Sequence, residues 1–210
     1  MDEQVLLEEL LEGVKPPYRE GTQGMHYLFK TAFRYPPLKY GSRFGTRLMP
    51  SYFYASEKPI TALAETAYYR FIFLQDMQTP YEKVIDSSHT LFSATVVAER
   101  CLDLPATYFA SVKQKLVDPV DYRYCQSVGD WAVNQHDTQM IRSESARLAS
   151  TFNVAIASPS VIRSRTPNKW ESWLCRTTMA TISFSSRQAT KPETFHLDDF
   201  CIDGELPRPA

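Results

Sequence analysis

Two segments of the chain carry apolar residues at helical spacing. Near the N-terminus, leucines recur three and four positions apart between residues 6 and 11, and Gly13 precedes a pair of prolines. A longer segment from Pro59 to Gln75 begins with a proline, which suits the first turn of a helix. Its apolar residues lie on nearly every face. The pattern therefore predicts an N-terminal helix and a second helix that is buried in the core.

Several shorter segments favour strands because they are rich in aromatic and β-branched residues. They are HYLF at 26–29, SYFYAS at 51–56, and residues 90–98, 153–157 and 177–185. Two further helices are predicted over 106–116 and 122–134. The strands and helices do not alternate as regular βαβ units, so the predicted class is α+β. We expect a single compact domain with short mixed or antiparallel strands and packed helices.

Composition narrows the classes of function. A chain of 210 residues suits one domain with a substantial core. Lys and Arg total 23 and Asp and Glu total 24, a balance that does not favour a net-basic nucleic-acid binder. There are only seven glycines, so a glycine-rich phosphate loop is not expected. Aromatic residues reach 13%, which suggests a pocket lined by aromatic side chains.

The termini and the metal-binding residue types point to a cytoplasmic protein without a metal site. No apolar run approaches the roughly 18–20 residues that a membrane span needs. The N-terminal segment is acidic and lacks the basic start of a signal peptide. The four cysteines form no CxxC pair and the four histidines have no ligand spacing, so free thiols and no metal are expected.

Glu65 is the first candidate for chemistry, since it interrupts the apolar helix predicted over 59–75. A carboxylate on a buried helix is costly unless it is paired or used. One interpretation is a structural ion pair with Arg70 or Arg43. The other is a pocket in which Glu65 stabilises positive charge or takes a proton.

Arg43 and Tyr54 are the next candidates. Arg43 lies in GSRFG, where two glycines suggest a flexible backbone that lets a phosphate or carboxylate approach the guanidinium. An exposed turn arginine is the alternative. Tyr54 ends an aromatic strand and could stack on a planar ligand ring, or it could simply pack in the core.

Ser145 lies in IRSESAR, shortly before the predicted strand at 153–157. No GxSxG motif is present, so a serine nucleophile lacks its usual signature. A hydroxyl that holds a polar ligand group is one interpretation, and an ordinary polar turn is the other.

Taken in order, these motifs resemble the RES domain family, which is named for its Arg, Glu and Ser. The resemblance rests on GSRFG (41–45), FYASEKPITALAETAYYRF (53–71), IRSESAR (141–147) and NVAIASP (153–159), and it covers roughly residues 26–185. It implies an ADP-ribosyltransferase-like fold over 26–190, with an N-terminal helix and lead-in at 1–25 and a C-terminal tail at 191–210.

The resemblance also implies residue roles. Arg43 and Glu65 become the catalytic pair, and Tyr54 and Ser145 become substrate-binding residues. Ser158 and Ser160 are rival candidates for the family serine, although the IRxxSxR frame favours Ser145. Many family members carry a second basic residue before the first motif, and here Lys30 and Arg34 are both candidates.

The activity implied by the family is destruction of NAD⁺ by hydrolysis or phosphorolysis of its nicotinamide–ribose bond. Phosphate would then be a co-substrate, and no cofactor is required. Transfer of ADP-ribose to a protein target is an alternative, and a non-catalytic RES-like binding protein is another. The implied partner is a helix-turn-helix antitoxin, with no membrane and no direct nucleic-acid contact. Self-association stays open.

Overall fold

The computed structural model describes residues 3–37, 39–79 and 83–209. Within these ranges, eight strands form two four-stranded sheets. The first sheet has the order β1-β5-β4-β3 and is mixed, because only β3 and β4 pair in parallel. Its strands are β1 (Phe53–Ser56), β3 (Cys101–Asp103), β4 (Met140–Glu144) and β5 (Phe152–Ile156).

The second sheet has the order β2-β6-β7-β8 and is antiparallel throughout. Its strands are β2 (Ile85–Ser93), β6 (Lys169–Thr177), β7 (Thr181–Ser186) and β8 (Glu193–His196). The α-helices of the described ranges are α1 (Glu3–Gly13), α2 (Tyr27–Lys30), α3 (Pro59–Gln75), α4 (Lys113–Leu116) and α5 (Arg123–Asp130). The predicted α+β class is confirmed. No helix in these ranges is both long enough and apolar enough to cross a membrane.

Helix α3 lies between the sheets, in contact with β1 of the first and with β7 and β8 of the second. Leu63, Ala67 and Phe71 of α3 are buried against an aromatic cluster that includes Phe184 and Phe195. Burial of a large apolar side chain is worth about 1.5–3 kcal/mol, so this face holds the helix in place. The predicted boundaries of α3 are confirmed, as is the strand at the end of SYFYAS.

One predicted strand is wrong and another is shorter than predicted. HYLF forms α2 because the His26 side chain accepts a hydrogen bond from the Leu28 amide, which caps a helical turn that buries Phe29. The strand predicted over 177–185 is confirmed from Thr181 onward, as β7, because Thr178 and Thr181 close a tight turn that separates it from the end of β6.

The remaining predictions differ in extent. The strand predicted over 90–98 lies earlier, as β2. The helix predicted over 106–116 is a 3₁₀ turn at Thr107–Val112 followed by α4. The helix predicted over 122–134 is α5, extended by a π-helical turn at Trp131–Gln135. The C-terminal residues pack on the domain through β8 and through a hydrogen bond from the Tyr68 hydroxyl to the Pro207 carbonyl.

Candidate functional site

A cavity of about 340 Å³ opens between α3, the first sheet and the loop at residues 41–45, which we call the arginine loop. This volume falls within the roughly 300–1,000 Å³ of typical small-molecule sites. Among the described residues that line it, Arg43 and Glu65 carry charge. Three tyrosines also contribute to the wall: Tyr54, Tyr69 and Tyr122. Two charged groups of opposite sign and several aromatic rings therefore share one cavity.

Neutral hydrogen-bond donors hold the Glu65 carboxylate. The Ser145 hydroxyl donates to Oε1 over 2.7 Å, and the Asn153 amide donates to the same oxygen over 2.6 Å. No salt bridge within the described residues involves Glu65. Arg70, one suggested ion-pair partner, donates to the Thr177 hydroxyl instead. Among the described residues, Glu65 thus lies at the cavity wall without a contacting positive charge.

Arg43 is held by the backbone of two other segments. Its Nη1 donates to the Glu144 carbonyl over 2.8 Å, and its Nη2 donates to the Leu116 carbonyl. The residue is 9% exposed, and its buried Nε has no hydrogen-bond partner among the described residues. A buried guanidinium that is hydrogen-bonded to carbonyls, but not neutralised by a contacting carboxylate, is well suited to attract an anion.

Hydrogen bonds hold the backbone of the arginine loop in place, whereas the sequence suggested a flexible backbone. Gly41 has a φ of +77°, and a Cβ there would lie 2.4 Å from the Gly45 carbonyl oxygen. The Ser42 amide donates to that same carbonyl over 2.7 Å. From α5, the Gln126 side chain donates to the carbonyls of Tyr40 and Ser42. Glycine therefore permits a tight turn here, and the turn is what presents Arg43.

Tyr54 joins the first sheet to the arginine loop. Its hydroxyl donates to Ser42 Oγ over 2.8 Å and accepts from the Phe44 amide over 3.1 Å. Although 42% of the Tyr54 surface remains accessible, the protein packed around it raises the pKa of Tyr54 to about 12. A tyrosine hydroxyl is protonated at neutral pH in any case, and the raised pKa extends this state to more alkaline solution, so Tyr54 can keep both bonds.

Replacing Tyr54 by Phe tests this connection. Tyr54→Phe removes the acceptor of the Phe44 amide, and an unsatisfied buried donor costs about 1–3 kcal/mol. We expect the free energy of unfolding in denaturant titration to fall by about 1–2 kcal/mol. Tyr108→Phe, at a residue that is 73% exposed, is the matched control and should have no effect. Equal stability of the two variants would contradict the connection.

Ser145 lies beneath the cavity rather than in its wall. It is 4% exposed and does not line the cavity, and its oxygen accepts from the amides of Arg147 and Leu148 while its hydroxyl donates to Glu65. The structure thus places Ser145 against the carboxylate. The rival serines Ser158 and Ser160 bond to each other over 2.9 Å and do not line the cavity.

The structure does not bring Lys30 and Arg34 to the cavity wall. Arg34 pairs with Glu12 of α1 over 2.6 Å and donates to the Pro16 carbonyl. The Lys30 ammonium lies 4.3 Å from the centre of the Tyr18 ring. Through its ion pair with Glu12, Arg34 connects α1 to the rest of the domain.

Sequence reasoning missed Asn153 and Gln126. Asn153 was present in the NVAIASP motif, and the available signal was an amide at the start of an otherwise apolar strand. Gln126 gives no local signal, because its partners lie more than eighty positions away along the chain.

A family model described as the RES domain matches residues 16–177, which is most of the chain. The chain belongs to the RES domain family. RES domains are NAD-degrading toxins. The RES match contains the arginine loop, β1, α3, β4 and β5, and it ends at the last residue of β6. The strands β7 and β8 therefore follow the RES match but complete its second sheet. No curated protein matches the sequence of this RES domain.

Proposed function

We propose that this RES domain cleaves the N-glycosidic bond between nicotinamide and ribose in NAD⁺. The bond between the ring nitrogen and C1′ breaks, and its electron pair leaves with neutral nicotinamide. Water or phosphate then forms a new C–O bond at C1′, and water loses a proton in doing so. The products are ADP-ribose in the first case and ADP-ribose 1″-phosphate in the second.

The position of Glu65 carries the proposal. As the glycosidic bond breaks, C1′ and the ring oxygen of ribose gain positive charge. A carboxylate that is already oriented in an enclosed site stabilises this charge without having to reorganise. Glu65 is oriented by two neutral donors and has no contacting cation among the described residues, so its negative charge remains available to the substrate.

Arg43 and Tyr54 supply the complementary contacts. The Arg43 charge would attract the pyrophosphate of NAD⁺ or the attacking phosphate. The accessible surface of Tyr54 would stack on the nicotinamide ring, whose positive charge favours an aromatic face. Because Ser145 contacts Glu65 and lies outside the wall, we assign it to orienting that carboxylate.

A cell that makes such an enzyme must restrain it. The RES family implies an antitoxin partner in general, and we propose that the partner here is a helix-turn-helix protein that covers the cavity entrance.

Product analysis tests the activity. Purified protein without antitoxin is mixed with NAD⁺, with and without phosphate, and nicotinamide and the ADP-ribose product are measured by chromatography and mass spectrometry. Release of nicotinamide with free ADP-ribose or its 1″-phosphate is the expected result. In a parallel incubation with a cell lysate, an ADP-ribose adduct on lysate proteins would indicate ADP-ribose transfer instead. NAD⁺ binding without turnover by folded protein would contradict the proposal.

A further inference from the structure

A chain of side-chain hydrogen bonds runs from β1 through the adjacent strand β5 to Glu65 of α3. The Ser56 hydroxyl donates to Asn153 Oδ1 over 2.6 Å, and Asn153 Nδ2 donates to Glu65 Oε1 over 2.6 Å. Ser145 donates to the same carboxylate oxygen from the other side. Oε2 has no hydrogen-bond partner among the described residues.

The sheet determines where the Asn153 side chain lies. Asn153 is on the inner strand β5, directly opposite Ser56 of β1 and Ser143 of β4. Both neighbouring strands therefore fix its backbone position, and its side chain lines the cavity. Residues on one face of adjacent strands have side chains within contact distance, which brings Ser56 into reach of the amide.

The chemistry of the groups fixes the orientation of the amide. An ionised carboxylate only accepts hydrogen bonds, so Asn153 must present its NH₂ group to Glu65. Its carbonyl oxygen then faces Ser56, whose hydroxyl can donate to it. The bond from Ser56 therefore depends on the amide orientation that the bond from Asn153 to Glu65 sets.

We propose that Asn153 is a positioning residue for Glu65, with Ser56 holding its amide in the orientation that the carboxylate imposes. Asn153 and Ser145 together occupy Oε1 and so turn Oε2 toward the ribose carbon at which positive charge develops. This inference rests on the proposed cleavage of NAD⁺. It assigns the effect of Asn153 to the chemical step, not to substrate affinity.

Two substitutions at Asn153 remove its hydrogen-bond donor, and only one of them keeps the shape of the side chain. Asn153→Asp keeps the shape but places a second carboxylate beside Glu65, while Asn153→Leu removes the polar group. We expect both to lower kcat for nicotinamide release by about 10- to 100-fold, the range for a misplaced reacting group. KM should stay within about threefold, because interactions made only in the transition state lower kcat and leave KM unchanged. Ser56→Ala should lower kcat by a smaller factor.

Asn168 offers a matched control. Its Oδ1 accepts from the Ser164 hydroxyl over 3.0 Å and its Nδ2 donates to the Thr95 hydroxyl over 2.9 Å, yet it does not line the cavity. Asn168→Asp and Asn168→Leu should leave kcat and KM unchanged. A rise in KM at constant kcat for the Asn153 variants would overturn the inference, since it would mean direct substrate binding. Equal losses of kcat at Asn153 and Asn168 would overturn it too.

Crystal structures of the wild type and Asn153→Leu provide a readout that needs no turnover. The carboxylate of Glu65 is expected to receive the bonds from Asn153 and Ser145 in the wild type and to rotate in the variant. A carboxylate that keeps its position in Asn153→Leu would overturn the inference whether or not the protein cleaves NAD⁺. Wild-type protein that releases no nicotinamide would instead refute the proposed function, and the crystal structures would still decide the role of Asn153.

Discussion

Glu65→Gln is expected to reduce the rate of nicotinamide release by about 100-fold or more, the usual loss when one oriented electrostatic stabiliser is removed. The glutamine keeps the shape of the side chain and can still accept from Ser145 or Asn153. It lacks the negative charge that opposes the developing charge on ribose. The loss should therefore lie mainly in kcat, measured from initial rates at saturating NAD⁺.

Glu171→Gln is the matched control for that substitution. Glu171 also accepts a hydrogen bond from a serine hydroxyl, that of Ser186, but it lies on β6 and does not line the cavity. Its variant should keep wild-type kcat. A Glu65→Gln enzyme with kcat within a few-fold of wild type, or one that still arrests growth when expressed without antitoxin, would contradict the assigned role of the carboxylate.

The sequence predicted helix α3 well because local and tertiary signals agree there. Proline at the first turn and apolar residues on nearly every face predict a buried helix, and α3 runs over the predicted range, although Tyr69 and Phe73 on one face are more than half exposed. The boundary between β6 and β7 was missed because the turn at 178–180 contains no glycine, proline or asparagine. Its hydrogen bonds join the backbones and side chains of Thr178 and Thr181, and threonine is also common in strands.

The site was predictable in its residue types but not in its connections. Arg43, Tyr54 and Glu65 belong to recognisable motifs, and the structure brings them to one cavity. The partners of Glu65 lie 80 and 88 positions away along the chain, and Asn153 comes beside the carboxylate because β5 pairs with β1, the strand that precedes α3. Such a contact depends on the order of the strands in the sheet, which the periodicity of apolar residues along the chain does not predict.

Gly129→Ala is expected to destabilise the protein by about 2–3 kcal/mol, the upper part of the usual range for overpacking. Gly129 lies on α5, where a Cβ would come within 1.9 Å of the Phe44 carbonyl oxygen and 2.8 Å of the Phe44 carbonyl carbon. Both are backbone atoms, so no side-chain rotation can relieve the clash. Alanine normally favours a helix by up to about 1 kcal/mol over glycine, and here that gain is outweighed.

The clash should be visible in both stability and activity, because Phe44 directly follows Arg43 in the arginine loop. Displacing this loop moves the guanidinium, so kcat/KM for NAD⁺ should fall even well below the unfolding temperature. Thermal unfolding should shift down by about 5–10 °C for a chain of this size. Gly13→Ala, at the end of α1 where a Cβ would meet nothing within 4 Å, is the matched control and should leave both quantities unchanged. If Gly129→Ala instead matched Gly13→Ala in both, α5 would not be the support that holds the arginine loop in place.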